Sequence, residues 1–548
     1  TFRKAPKFFD VVTYTGNGTA GRTVSHNLGT TVGSIFIKRT DTTQDWIVYH
    51  RGLNSADGTL ILNENFQGYT NSTWAWNSTY PTSTEFTLGS NAQVNASGGT
   101  YVAYLFAHND GDGEFGSTAD QDVIKCGSYT GNGSSTGPEI DLGFEPQWVL
   151  VKCATQGGSS PAYEWYLMDT MRGMTGESDT WITVNSSVAE STATYSYVKP
   201  EPTGFKIQSG QSRVNASGET YIYIAIRRGP MAVPTDATEV FDIDLSSSTT
   251  ATLLSGFSTD MALAKDRAGG GASGYGSDVF TRLLGDFVKL NTTNTDGVSA
   301  NSSTISFEPD GIKLNGGSVY QSGFAYYQWK RAPSFFDVVA YTGNGVAGRT
   351  VSHNLGVAPE MIWVKKRSAV GDWYVYHTGM DATAPEDYRM SINSTAARVD
   401  DFRPWNDTAP TDTVFSLGTS GDTNDSGVTY IAYLFASLDG VSKVGSYTGD
   451  GTTGRVIDCG FSSGARFILI KVTSHTGDWW LFDTERGITT SVARGLRLNT
   501  TAAEVPTGSP TQDYHDRIDP SSSGFIVNHT ASLGINESGK DYIFYAIA

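Results

Sequence analysis

The sequence predicts an all-β protein made of tandem antiparallel β-sandwiches of the jelly-roll kind, and three observations point that way. Short β-branched and aromatic runs alternate with clusters of Gly, Asn, Asp, Ser and Thr along the whole chain, the punctuation of strands and tight turns. The stretch FFDVVTYTGNGTAGRTVSHNLG, Phe8 to Gly29, returns as FFDVVAYTGNGVAGRTVSHNLG, Phe335 to Gly356, 327 positions on, with only Thr13/Ala340 and Thr19/Val346 differing. Finally, 12% aromatic and 17% charged residues place the chain outside the range of disordered polymers, and 548 residues are too many for one core.

The elements of one copy follow in a fixed order. The first strand runs into YTGNG, where Asn17-Gly18 supplies residues that tolerate positive φ. No helix follows this GxG, so it reads as turn chemistry and not as a phosphate loop. Weaker echoes stand at GSYTGNGSSTGPEIDLGF (Gly127 to Phe144) and GSYTGDGTTGRVIDCGF (Gly445 to Phe461). An apolar strand ending in a basic residue comes next: SIFIKR, QWVLVK, MIWVKK or FILIK. An acid followed by Trp opens another, at Asp45-Trp46, Glu164-Trp165, Asp372-Trp373 and Asp478-Trp479. A strand ending near Asn follows (LILNEN, ITVNSS, MSINST, LRLNTT), then EFTLG or TGFKIQ. The copy closes on TYVAYLFA, TYIYIAI, TYIAYLFA or DYIFYAIA. In the first of these, Tyr101, Ala103, Leu105 and Ala107 alternate with Val102, Tyr104 and Phe106, so both faces are apolar and both need cover.

A divergent copy lies in the middle, where DMALAKDR, VKLNTT, DGIKLN and FAYYQWK keep the order without the YTGNG turn. The predicted domains are therefore A (1–118), B (119–234), C (235–333), A′ (334–440) and B′ (441–548), each long enough for its own core. The order implies a duplicated A–B–C cassette. TFRKAPKFFD at the start parallels QWKRAPSFFD at Gln328 to Asp337, from which we expect an internal piece of a longer protein.

Charge narrows the partners. A formal charge of -18 disfavours nucleic acid and anionic membrane surfaces, and no run of eighteen apolar residues offers a bilayer span. Three cysteines, Cys126, Cys153 and Cys459, are too few for a disulfide framework and read as buried free thiols.

SYTGDG, FILIKV, LFDTERG, LRLNTTAAE, SSGF and DYIFYAIA in B′, with KLNTTNTDG and YYQWKRA in C, carry a resemblance. The unit resembles a domain of unknown function found in tail-fibre-like and other virion proteins of marine bacteriophages, including those of cyanobacteria. The resemblance implies a lectin-like jelly-roll sandwich on the outside of a phage particle, without catalytic residues to carry over. It further implies other virion proteins as partners and a homo-oligomer, most often a trimer.

Residues present in every copy read as structural. Asp45, Glu164, Asp372 and Asp478 before Trp, and Arg51, Arg172 and Arg486 before Gly, fit strand-end ion pairs or turn contacts better than acid–base catalysis. Trp46, Trp165, Trp373 and Trp479 are predicted core anchors with locally satisfied indoles. His26/His353 and His50/His377 recur only in A and A′, with Asp169 and Asp483 at the second position in B and B′. No nucleophile elbow and no zinc spacing accompanies them.

Features that differ between copies are the candidate sites. HNDGDGEFGSTADQD, His108 to Asp122, has only SLDGVSK as its counterpart. Its Asp110, Asp112 and Glu114, with Asp120 and Asp122, are hard oxygen ligands that suit Ca²⁺, the one cofactor this residue set suggests; a solvated acidic linker is the plain alternative. The loop YTNSTWAWNSTYP offers Tyr69, Trp74, Trp76 and Tyr80 among Asn, Ser and Thr, and its A′ counterpart FRPWNDTAP keeps Phe402 and Trp405. Such aromatics suit a sugar ring of a host surface glycan, or equally a seam between domains. GGGASGYG, Gly269 to Gly276, reads as a flexible loop within C. The expectation is a non-enzymatic virion structural protein, a tail fibre or capsid appendage contributing to host attachment. The alternatives are a secreted adhesin or carbohydrate-binding array, which needs an upstream secretion signal, and a glycan depolymerase, which needs a non-repeated carboxylate pair.

Overall fold

Strand-forming runs pair antiparallel in every copy of the computed structural model. It describes residues 1–116, 119–156, 163–174, 180–192, 197–229, 232–246, 248–268, 276–283, 286–292, 305–316, 323–489, 492–505, 517–528 and 534–548. All of GGGASGYG except Gly276 lies outside them, as do residues 117 and 118 of the acidic insert. The fold is all-β, with multiple antiparallel sheets, none of which closes into a barrel among the described residues. Helix is confined to short turns, and among the described residues no helix is long and apolar enough to cross a membrane.

The sheets come as a large one and a small one. In B the large sheet runs Ser191–Thr192, Thr180–Thr183, Trp165–Asp169, Pro146–Cys153, Thr220–Arg227, Ile124–Thr130, and the small one Val198–Glu201, Gly204–Ile207, Glu139–Asp141. In A′ the order is Phe336–Thr342, Thr429–Phe435, Met361–Lys366, Trp373–His377, Tyr388–Ser391, Val399–Asp400, beside the pair Arg349–Ser352 and Val414–Leu417. First and last strands of a copy are neighbours, in register at Tyr14↔Tyr101, Tyr129↔Tyr221, Tyr341↔Tyr430 and Tyr447↔Tyr542. Those rings stack with centroids 5.0, 5.2, 5.2 and 4.9 Å apart.

The YTGNG turn is locked from across the copy. Buried Asn95, Asn215, Asn424 and Asn536 accept through Oδ1 from the backbone N–H of Asn17, Asn132, Asn344 and Asp450 at 2.8 to 3.1 Å. The first glycine must be glycine because the chain after that asparagine passes against it: a Cβ at Gly343 would lie 2.1 Å from the Asp425 carbonyl oxygen. Gly345, at φ +71°, takes the left-handed turn position.

The apolar interior is not parcelled out copy by copy. Residues Thr1–Met231 and Ala232–Ala548 form two compact units. In the first, alternate residues of the closing strand of B serve two cores: Tyr221, Tyr223 and Ala225 face B's small sheet, while Ile222, Ile224 and Ile226 join a cluster with Ile35, Leu60 and Leu105 of A. In the second, Tyr430, Ala432 and Leu434 face inward within A′, and Ile431, Tyr433 and Phe435 enter a cluster shared with C and B′. The expectation of five self-contained interiors is amended accordingly. A strand apolar on both faces is covered on one side by its own copy and on the other by a neighbour. Each large side chain so buried contributes roughly 1.5–3 kcal/mol. All three cysteines are buried free thiols.

Gly343→Ala is expected to destabilise the second unit by about 1–3 kcal/mol through overpacking against backbone. Differential scanning calorimetry would show this as a lowered midpoint for the transition of residues 232–548.

Candidate functional site

The aromatic loop of A folds partly inward. Trp76, on the helical turn Thr73–Trp76, is 1% exposed; its indole N–H donates to Thr59 Oγ1 at 2.9 Å and its ring meets Tyr49 edge-on. Trp405 of A′ is 2% exposed and packs edge-on to Tyr376. Neither offers a face to a sugar, which corrects their assignment as binding residues: a helical turn lets the indole cap the sheet, and burying so large a ring outweighs leaving it in water. Trp74 is half-buried. Tyr69 (42%), Tyr80 (56%) and Phe402 (58%) remain outside.

The acidic insert does not converge on a point. Glu114 pairs with Lys7 Nζ at 2.6 Å, and Asp112 accepts from the Thr30 hydroxyl and the Asp110 amide. Asp122 accepts from the amides of Gly111 and Gly113 at 2.9 and 3.0 Å, with Lys125 Nζ 3.7 Å away; Asp110 lies 3.9 Å from the same ammonium. Among the described residues no group of three or more His, Cys, Asp or Glu is arranged to hold a metal ion. The predicted set Asp110, Asp112 and Glu114 is engaged in these ion pairs and turn bonds.

The recurring polar residues, in contrast, meet at one kind of place, the joint between neighbouring sheets. The acid–Trp pair and the later Asn form a clasp: Asn393 Nδ2 donates to Asp372 at 2.9 Å, while its Oδ1 accepts from the Trp373 amide at 3.0 Å. The same clasp holds Asp478, Trp479 and Asn499. The indole so held reaches into the adjoining copy, not to a local partner as expected. Trp373 Nε1 of A′ donates to the Lys289 carbonyl of C at 2.9 Å, and Trp479 Nε1 of B′ to the Ser391 carbonyl of A′ at 3.0 Å. C has Ser277 in that register position, and its hydroxyl donates to the Leu498 carbonyl of B′ at 2.9 Å. The strand-end lysines reinforce this: Lys265 Nζ meets Thr500 O at 2.6 Å and Lys471 Nζ meets Thr395 O at 3.0 Å. Burial pushes both ammonium groups down to about 8, so they remain charged donors at neutral pH.

A second set of bonds runs the other way round. Opposite the start of the Lys-ending strand stand His377 in A′, Asp483 in B′ and Thr281 in C. His377 Nε2 lies 3.2 Å from the Phe544 carbonyl of B′. Asp483 Oδ2 accepts from the Tyr327 hydroxyl of C at 2.6 Å, and Thr281 Oγ1 lies 2.7 Å from the Tyr433 hydroxyl of A′. Thus A′ bonds to B′, B′ to C and C to A′, in a closed cycle. Arg486, wholly buried, binds Asp483 at 2.5 Å and Glu504 at 3.0 Å, and Glu504 also receives Arg267 of C at 3.0 Å.

Unit one repeats part of the scheme. Trp165 Nε1 of B donates to the Ile61 carbonyl of A at 3.1 Å, and His50 Nε2 of A lies 3.0 Å from the Tyr223 carbonyl of B. In both histidines Nδ1 accepts an amide two residues on, at Gly52 and Gly379, so the ring proton sits on Nε2 and points at the neighbour. Burial drives the two imidazoles down to about 3 and about 4. His26 and His353 accept from the amides of Leu28 and Leu355 and are turn-holding groups. Composition gave no hint of the joints; the one sequence signal was a position that changes chemistry from copy to copy while its strand neighbours keep theirs.

An all-β chain of repeated sheet pairs, with its repeated polar groups gathered at sheet-to-sheet joints, is the class this geometry defines. The chain belongs to the family described as Domain of unknown function (DUF7483), which it matches over residues 5–230 and 238–548. The two matched stretches follow the two compact units. No curated protein matches the sequence.

Two outcomes test the joints. His377 is held neutral in the fold, whereas the unfolded chain takes up a proton below about pH 6.5; its contribution is whole above that pH and is lost as pH falls through about 4, a loss of roughly 3 kcal/mol. Thermal midpoints from pH 7.5 to 4 should therefore fall less steeply for His377→Gln than for the parent chain. Removing Arg486 leaves the buried Asp483 carboxylate without its cation, while Glu504 keeps Arg267, and should cost about 3–5 kcal/mol; Arg172, with a side chain 35% exposed, should cost about 1 or less. Hydrogen exchange in Trp480–Asp483 of Arg486→Met, set against Trp165–Asp169 of Arg172→Met, reads the difference.

Proposed function

We propose that the chain is a structural, non-catalytic protein of a virus particle, a bacteriophage tail fibre or capsid appendage in which each copy is one lectin-like jelly-roll sandwich. One observation carries this reading. The residues whose recurrence first suggests chemistry (Trp373, Trp479, Lys265, Lys471, His377, Arg486) are engaged in holding sheet to sheet. A chain that invests its polar groups in its own joints suits a load-bearing part. Repetition then lengthens the part and multiplies weak contacts by avidity. Its partners are other proteins of the particle and further copies of itself, at the outside of an extracellular particle.

The same reading gives the exposed Tyr69 and Tyr80 a role as stacking faces for host glycans. Mass spectrometry of purified particles should find the chain at stoichiometric amounts, and its absence from particles would end the proposal. On a glycan array the purified chain should retain a saccharide class that Tyr69→Ala/Tyr80→Ala loses at least tenfold. Equal retention by both would remove the glycan role and leave the scaffold.

A further inference from the structure

In the second unit C completes a cycle of three; the first holds only A and B, with the positions that would meet a third sheet laid out in the same way. Trp329 of C is fully buried between Phe336 and Phe467, whereas Phe2, at the matching position ahead of A, packs on Phe9 and Trp148 but stays 39% exposed. Leu498, the carbonyl acceptor for C in B′, is 0% exposed, and its counterpart Val184 in B is 42% exposed. Trp373 and Tyr433 are buried against C, while Trp46 and Tyr104 of A are only half-buried.

The polar network is also built and open. Arg172 binds Asp169 at 2.8 Å and lies 3.7 Å from Glu190, repeating Arg486 with Asp483 and Glu504. In B′ those acids also receive Tyr327 and Arg267 of C, and the Arg486 and Glu504 side chains are 0% and 6% exposed; in B, Arg172 and Glu190 have side chains 35% and 45% exposed.

We infer that the outer face shared by A and B is a docking site for a third sheet of the C type. That sheet brings a tyrosine hydroxyl to Asp169, an arginine to Glu190, and hydroxyl and ammonium donors to the backbone around Val184. Its apolar face covers Phe2, Trp46 and Trp148. A second copy of this unit fits less well. Its B sheet has already used Trp165 and Lys152 on its own A, and its A sheet has used His50 on its own B. A further sheet of the C type has the donor set these positions need, as C itself shows against A′ and B′: Ser277 and Lys265 for the strand edge, Arg267 for the acid, Thr281 for the tyrosine.

The test uses the full chain with a further copy of residues 235–331 placed ahead of Ala5 in place of residues 1–4, which keeps the C-to-A′ junction. Hydrogen exchange is compared with the parent chain. Amides of residues 180–190 and 46–50 should exchange at least about tenfold more slowly in the extended chain, approaching their counterparts in B′ and A′. Val184→Asp in the extended chain should restore parent-like exchange at residues 180–190 while the exchange of residues 334–548 stays unchanged. Unchanged exchange at 180–190 overturns the inference, whether the added residues fold elsewhere or stay unfolded, because a C-type sheet needs this face to bury its own. A parent chain that dimerises in sedimentation, with residues 180–190 protected in the dimer and released by Val184→Asp, also overturns it and makes a second copy the occupant.

Discussion

A β-strand that is apolar on both faces must be covered twice, and the architecture follows from that requirement. The closing strand of each copy pairs on both edges within its own sheet, so its remaining need is for cover above and below. The small sheet of the same copy supplies one layer. The other has to come from elsewhere, and in the second unit it comes from the two sister copies meeting around Trp329, Phe435, Phe467 and Tyr545. Burial alone would let any apolar sheet serve. The polar atoms at the margins decide which one does, since an unmatched donor or acceptor taken out of water costs more than a matched one gains.

That is why the joint position is His in A′, Asp in B′ and Thr in C. Each meets its own partner: a carbonyl of B′, the Tyr327 hydroxyl of C beside Arg486, and the Tyr433 hydroxyl of A′. The imidazole can serve only as neutral donor and acceptor, which burial enforces. The carboxylate needs Arg486 beside it to be tolerated inside. The copies share a backbone plan yet are not interchangeable at their edges.

Much of this was legible in the residues. The antiparallel strands, their order, the turn at Asn17-Gly18 and the buried thiols follow from local pattern, and Trp373 and Trp479 do anchor cores. What the pattern withheld was direction and company. Trp76 and Trp405 sit in polar, turn-like surroundings, and only the local coil of the chain decides that their rings point inward. Alternation marks both faces of Thr429–Phe435 as apolar without saying what lies over either. Tyr327 and Asp483 are 156 residues apart, and no periodicity relates them. The one-dimensional density of carboxylates in the acidic insert gives no sign of Lys7 and Lys125 folding back onto them.

The edge-specific joints bear on how such a gene can change length. The two nearly identical stretches at Phe8 and Phe335 lie 327 positions apart, one A, one B and one C. Unequal crossing-over that inserts this segment would add all three together, so each added A and B pair arrives with a C whose edge chemistry matches its own; deleting it would strip A′ and B′ of the C they bond to. A breakpoint between unlike copies would instead seat His against Asp, or leave an arginine without its acid. The cycle of joints thus acts as a reading frame for recombination, favouring growth in whole sets of three, because only a complete set brings every edge its partner.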